Sequence, residues 1–353
     1  MNRETTRKKM VRTIAILMML AMCVLVLETL LHIYFYVDKK YWLFRGRDAF
    51  TVPYVTRVAD RRQYTLRKNA TNETTSINAE GFRGPPFNAD DRRPVLCIVG
   101  DSVPFGAGVA DHQTFPAHLQ RILDESGYQY RVLNGGVSSY NLRQAIDRWD
   151  VDIRPRYECA LLILNAANDV SLIAYYKERW TPELTWASAR FEISGAGRSS
   201  ILFYLNEVLT WGKAKLHTDR DWQKRALDSL RADFTSQVER PIAAGIPVVH
   251  LPINPCYYTN LPASEPANAV ACKGAPEFAS IVHEWDDLIR SINAMVRRQA
   301  SQPNNYIVDS VGAFDGKLGR KGKFVDFIHF SDEGNRDMAR MIADFLVSHA
   351  LIR

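Results

Sequence analysis

The chain has 353 residues, long for one domain and short for two, so one sizeable core with extensions is expected. Hydrophobic residues make up 46% and charged residues 24%, a globular composition that excludes an extended disordered chain. Much of the net charge of +6 sits in RETTRKKMVR (3–12), and no basic helix or aromatic-basic stripe follows, which argues against nucleic acid as a partner.

The first expected element follows that basic tail (1–12). IAILMMLAMCVLVL (14–27) carries no charge, and after Glu28 the chain stays apolar through TLLHIYFYV. Residues 13–36 make about 24 residues, roughly 36 Å as a helix, enough to span a bilayer. Glu28 is costly at mid-span unless protonated or paired, and His32 lies one helical turn on, on the same face. A cleaved signal peptide is the rival reading, but no small-x-small cleavage site follows, and LAMC (20–23) is a loose lipoprotein box with Met22 at a poor position. Tyr34, Tyr36, Tyr41 and Trp42 read as an interfacial belt, so an uncleaved single-pass anchor is expected. Basic residues flank the span on both sides, and their count leans only slightly to an inside N-terminus, with the body extracytoplasmic.

Residues 37–93 are polar and mixed, reading as a stalk or cap of turns and short strands. From 94 onward the pattern changes. Short apolar runs at 95–99 (VLCIV), 130–134, 160–165, 246–253 and 305–310 read as strands. Helical patterns at 115–126, 141–149, 222–244, 277–299 and 332–346 lie between or after them. Continuously apolar strands separated by helices indicate a parallel sheet covered on both faces. The expected fold is therefore α/β, a three-layer sandwich on a mainly five-stranded parallel sheet. An aromatic-rich stretch at about 170–221 interrupts it. That stretch reads as an insertion with its own apolar anchorage, or as a lid for a sugar or acyl chain.

Of the five cysteines, Cys23 falls in the anchor, and Cys97 and Cys159 lie inside apolar runs where they read as small buried hydrophobes. Cys256 and Cys272 flank a Pro-, Asn- and Ala-rich loop. A bridge between them would close about 16 residues, contribute about 3 kcal/mol and imply an oxidising compartment.

Ligands of an open parallel sheet bind beyond the carboxyl ends of its strands, where three polar turns fall: Gly100-Asp101-Ser102, Asn134 to Ser139, and Ala166 to Asp169. Near the C-terminus, VDFIHFSDEG places Asp326 three residues before His329 on a loop entering a helix with Ser331 at its N-cap. That spacing lets a carboxylate orient one imidazole nitrogen while the other faces the crevice. Each piece is common alone; their joint order carries the information.

With GDSVPFGAGV, LNGGVSSYN, LNAANDV and VDFIHFSDEG in this order, residues 95–350 resemble the Ser-Gly-Asn-His hydrolases, also called the GDSL family. The resemblance implies a flavodoxin-like fold and a serine esterase that needs no cofactor or metal. It implies Ser102 as nucleophile, His329 as its base and Asp326 as the partner of the imidazole. Ser102, Ser139 and Asn168 would form the oxyanion hole. Two positions depart from the family pattern: Ser139 stands where its second block has glycine, and Ala166 replaces the first glycine of its third block. The expected activity is removal of O-acyl, chiefly O-acetyl, groups from a cell-surface or exported glycan. An O-acyltransferase with the same triad, a lipid esterase or lysophospholipase, and a non-catalytic glycan-binding protein remain open.

Overall fold

The computed structural model describes residues 3–39, 54–86, 91–165, 168–177, 180–185, 221–256 and 282–353. The chain divides into two compact units, 1–51 with 187–219 and 52–186 with 220–353. In the first, the described residues form one helix, α1 (Arg3–Lys39). Its segment Val11–Leu31 has a mean hydropathy of 2.7 and none of it is buried by protein, so it is long and apolar enough to cross a membrane or act as a signal sequence.

The second unit opens with an antiparallel pair, β1 (Val55–Arg57) and β2 (Tyr64–Leu66), in the register Val55↔Leu66 and Arg57↔Tyr64. Its main sheet holds β3 (Val95–Gly100), β4 (Arg131–Asn134), β5 (Cys159–Asn165), β6 (Val248–His250) and β7 (Asn305–Ile307). All neighbours are parallel, in the order β4-β3-β5-β6-β7. All six residues of β3 are buried, as a strand covered on both faces requires.

The helices are α2 (Ser102–Phe105), α3 (Phe115–Glu125), α4 (Leu142–Arg148) with a π turn at Trp149–Ile153, α5 (Asn168–Tyr176), α6 (Trp222–Ala243), α7 (Val282–Gln299), α8 (Ser310–Asp315) and α9 (Asp332–Ser348). α3 and α9 pack on each other, while α4, α5, α6 and α7 form a second group, giving the two helical layers around the sheet. Their starts follow the sequence: Thr114 caps α3 ahead of Pro116, Asn141 and Gln144 make a capping box at α4, and Ser331 caps α9. The fold is thus the expected α/β three-layer sandwich, with the strand order that reverses between β3 and β5. In open sheets of this kind, ligands bind beyond the carboxyl ends of the strands at such a switch point.

One reading is overturned. Cys97 and Cys159 are buried, but they are joined in a disulfide with a Cα–Cα distance of 5.6 Å. The register explains it: an irregularity after Val95 sets Cys159 opposite Val95, so the two cysteines are diagonal neighbours on one sheet face. Cys256 is also disulfide-bonded, and its expected partner Cys272 lies outside the described residues.

Residues 54–86, read from sequence as stalk or cap, belong to the same compact unit as the sheet. The Gln144 amide donates to the Arg62 carbonyl at 2.7 Å. The buried Arg148 guanidinium donates to Thr65 Oγ1 and Asp152, and to the Gly81 carbonyl at 2.5 Å. Most of the aromatic stretch at 170–221 lies outside the described residues.

Candidate active site

β3 ends at Gly100, and an added Cβ there would sit 1.9 Å from the Asn165 carbonyl oxygen, so only glycine lets the ends of β3 and β5 close on each other. The chain then turns at Asp101, which is fully buried and caps α2 by accepting the Val103 N–H at 2.8 Å. Ser102 follows as the first residue of α2, half-buried just beyond the carboxyl end of β3.

The opposite wall is the loop before α9. Asp326 folds back on its own loop, accepting the N–H groups of Ile328 and His329 at 2.9 and 2.8 Å. The loop is closed by Val325 N–H donating to the His329 carbonyl at 2.9 Å, and its base rests on the packed rings of Phe314, Phe324 and Phe330. Gly334 lets the first turn of α9 lie against this base, since a Cβ there would meet the Lys323 carbonyl oxygen at 2.0 Å.

These two walls bring the three residues together. Asp326 Oδ2 lies 2.6 Å from His329 Nδ1, and His329 Nε2 lies 2.7 Å from Ser102 Oγ. The carboxylate fixes the imidazole proton on Nδ1, so Nε2 accepts from the serine hydroxyl. Burial pushes the Asp326 carboxyl up. The hydrogen bond and charge of His329 and the two backbone donors outweigh that and hold it below the ordinary carboxylate value.

The remaining expected residues sit at the ends of the adjoining strands. Asn168 begins α5 after β5, and its backbone N–H donates to Asp101 Oδ2 at 3.1 Å. Ser139 lies in the turn after β4, closed by Tyr140 N–H donating to the Val137 carbonyl at 3.2 Å. Its φ is +67°, a left-handed conformation that favours glycine. A serine thus holds a backbone conformation that glycine adopts at less cost. Among the described residues, the backbone N–H groups of Ser102 and Ser139 and the Asn168 side-chain amide donate to no acceptor.

Sequence reading missed two groups. Asp101 is more than a turn residue, because it holds both Val103 and Asn168. Asp169, buried beside Asn168, accepts the Leu142 N–H at 2.9 Å and so ties the third turn to the start of α4. Burial, reinforced by the charges of Asp233 and Asp101 against the Leu142 bond, pushes its carboxyl up to about 7. A carboxylate placed directly after a candidate oxyanion residue was the only signal for it.

The fold and this geometry define a Ser–His–Asp hydrogen-bonded triad at the switch point of a doubly wound parallel sheet. No protein-family model and no curated protein matches the sequence. Solved structures of proteins described as lipolytic, as a lipase/acylhydrolase and as an acetyl xylan esterase are similar to it. One is a member of the lipolytic protein G-D-S-L family from Veillonella parvula, 14% identical over 72% of this chain and 98% of that one, with a TM-score of 0.41. The lipase/acylhydrolase from Enterococcus faecalis is 12% identical over 72% and 96%, with a TM-score of 0.44. An acetyl xylan esterase is 14% identical over 71% and 99%, with a TM-score of 0.37.

Proposed function

We propose that this chain is a membrane-anchored serine ester hydrolase of the Ser-Gly-Asn-His type. The observation that carries the reading is the unbroken hydrogen-bond chain from Asp326 through His329 to Ser102. Ser102 is a weak nucleophile unaided; as Oγ attacks an ester carbonyl, Nε2 of His329 takes its proton and Asp326 stabilises the imidazolium. The oxyanion then accepts from Ser102 N–H, Ser139 N–H and the Asn168 amide, donors preset before the charge develops. Collapse expels the alcohol, which takes the proton back from His329. Water repeats the sequence on the acyl-enzyme and releases the acid.

We assign α1 as an uncleaved anchor and the second unit to the extracytoplasmic side. The Cys97–Cys159 bridge supports this, because such bonds persist in oxidising compartments. The substrate we infer is an O-acyl, chiefly O-acetyl, group on a cell-surface or exported glycan. It rests on that location and on the aromatic-rich segment of the sequence. The test uses the full chain in detergent and its Ser102→Ala variant on acetyl and long-chain nitrophenyl esters and on an O-acetylated polysaccharide. Ser102-dependent acetate release is expected, with long-chain esters turned over more slowly. Equal rates for the two proteins would refute the serine mechanism, and a preference for long chains would make the substrate a lipid.

A further inference from the structure

We infer that Tyr64, on the β1–β2 hairpin outside the main sheet, is a positioning residue that replaces the missing glycine by holding the Ser138–Ser139 peptide in its active orientation. The inference rests on the function proposed above.

The turn Val137 to Tyr140 is closed from its first carbonyl to its fourth N–H. Of its two central residues only Ser139 has a positive φ, which is the pattern of a type II turn. That type differs from the commoner type I in having its middle peptide turned over. It calls for glycine at the third position, where this chain has serine. With a Cβ at that position, local energetics favour the other orientation, so something outside the turn must hold the peptide.

The Tyr64 hydroxyl does this. It donates to the Ser138 carbonyl at 2.9 Å. In a planar trans peptide the C=O of Ser138 and the N–H of Ser139 point in opposite directions, so fixing one aims the other. Tying the Ser138 oxygen to the hairpin therefore turns the Ser139 N–H away from the hairpin, as a donor with no described acceptor. The tie is reciprocal, since the Tyr140 hydroxyl donates to the Tyr64 carbonyl and the two rings pack edge to face at 5.0 Å. Tyr64 is buried, and the Tyr54 phenol also approaches Ser138 from the same hairpin. Gln144 and Arg148 of α4 clamp that hairpin in place.

The test is Tyr64→Phe in the full chain, alone and combined with Ser139→Gly. The phenyl ring keeps the packing on Tyr140 and removes only the hydroxyl. We expect kcat for a short-chain ester to fall about tenfold, because an oxyanion donor is lost from part of the population, with KM within about twofold. In the Ser139→Gly background the same replacement should cost little, because glycine takes the turned-over peptide without help. Crystal structures should show the Ser139 φ reversing sign in Tyr64→Phe. An unchanged kcat in an active protein, or an equal loss in both backgrounds, overturns the inference. If the wild-type chain shows no Ser102-dependent turnover, the proposed function fails instead. The crystal structure of Tyr64→Phe then decides alone: a Ser139 φ still near that of the wild type overturns the inference.

Discussion

Asp101 holds Asn168 by its backbone: Oδ2 of the buried carboxylate accepts the Asn168 N–H at 3.1 Å while Oδ1 accepts the Val103 N–H at 2.8 Å. One side chain thus fixes the spacing between the turn that carries the proposed nucleophile and the turn that carries the proposed oxyanion amide.

Asp101→Asn should separate those turns. An amide has one accepting oxygen, so one of the two N–H groups would face an NH2 donor in a buried site, at a cost of about 1–3 kcal/mol. We expect kcat to fall at least as far as for Asn168→Ala, and the urea midpoint to fall with it. Full activity with a lowered midpoint would mean that Asp101 only caps α2.

Asp326→Asn should leave the fold intact and remove most turnover, by about 10⁴-fold in kcat, because an amide no longer fixes the proton on His329 Nδ1. The stability consequence has a definite sign. The folded carboxyl lies below its ordinary value of 3.8, so its contribution is present above that value and lost as pH falls through the lower folded one. Melting temperatures of wild type and variant should therefore converge at the acid end of a scan from pH 2 to 6. Parallel curves would contradict the assignment.

The strands and the Asp326–His329 spacing were legible in the sequence because each is local, whereas Ser102, 227 residues from His329, entered only through the joint order of the motifs. VLCIV is apolar throughout since both faces of β3 are covered, and the three-residue spacing from Asp326 to His329 is the reach of one turn of loop. What was illegible depends on pairing between distant segments. The Cys97–Cys159 bond follows from a register irregularity between strands 62 residues apart, and apolar surroundings mask it as core packing. Tyr64 reaches Ser138 across 74 residues from a three-residue strand with no motif. At Ser139 the sequence raised the right question, whether a Cβ fits a glycine site, but φ and its external support exist only in the folded chain.

Replacing Cys97 and Cys159 together by alanine should lower the unfolding free energy by about 4 kcal/mol, the chain-entropy value for a loop of this length. The bond joins the two central strands whose ends carry Ser102 and Asn168, so weakening should be global. Urea unfolding of both proteins without reductant measures it, and coincident transitions would show that the bridge does not form in the protein.

Asp169 should make the native state less stable as pH rises. Its carboxyl ionises near 7 when folded against an ordinary value of 3.8, so between these values the folded state holds a proton that the unfolded state has lost. Stability therefore falls from about pH 4 to 7, and the full penalty persists above. His250 works in the opposite sense within that window: burial, against its bond to Asn305, pulls it down to about 4, so it favours the fold as pH rises from 4 toward 6.5. The wild-type curve alone is then uninformative, and Asp169→Asn isolates the carboxyl. The variant keeps an oxygen for the Leu142 N–H and carries no charge in the buried site. We expect it to match wild type near pH 4 and to exceed it at pH 8 by on the order of 4 kcal/mol, measured by urea unfolding. A difference that does not grow across this range would show that Asp169 does not titrate there.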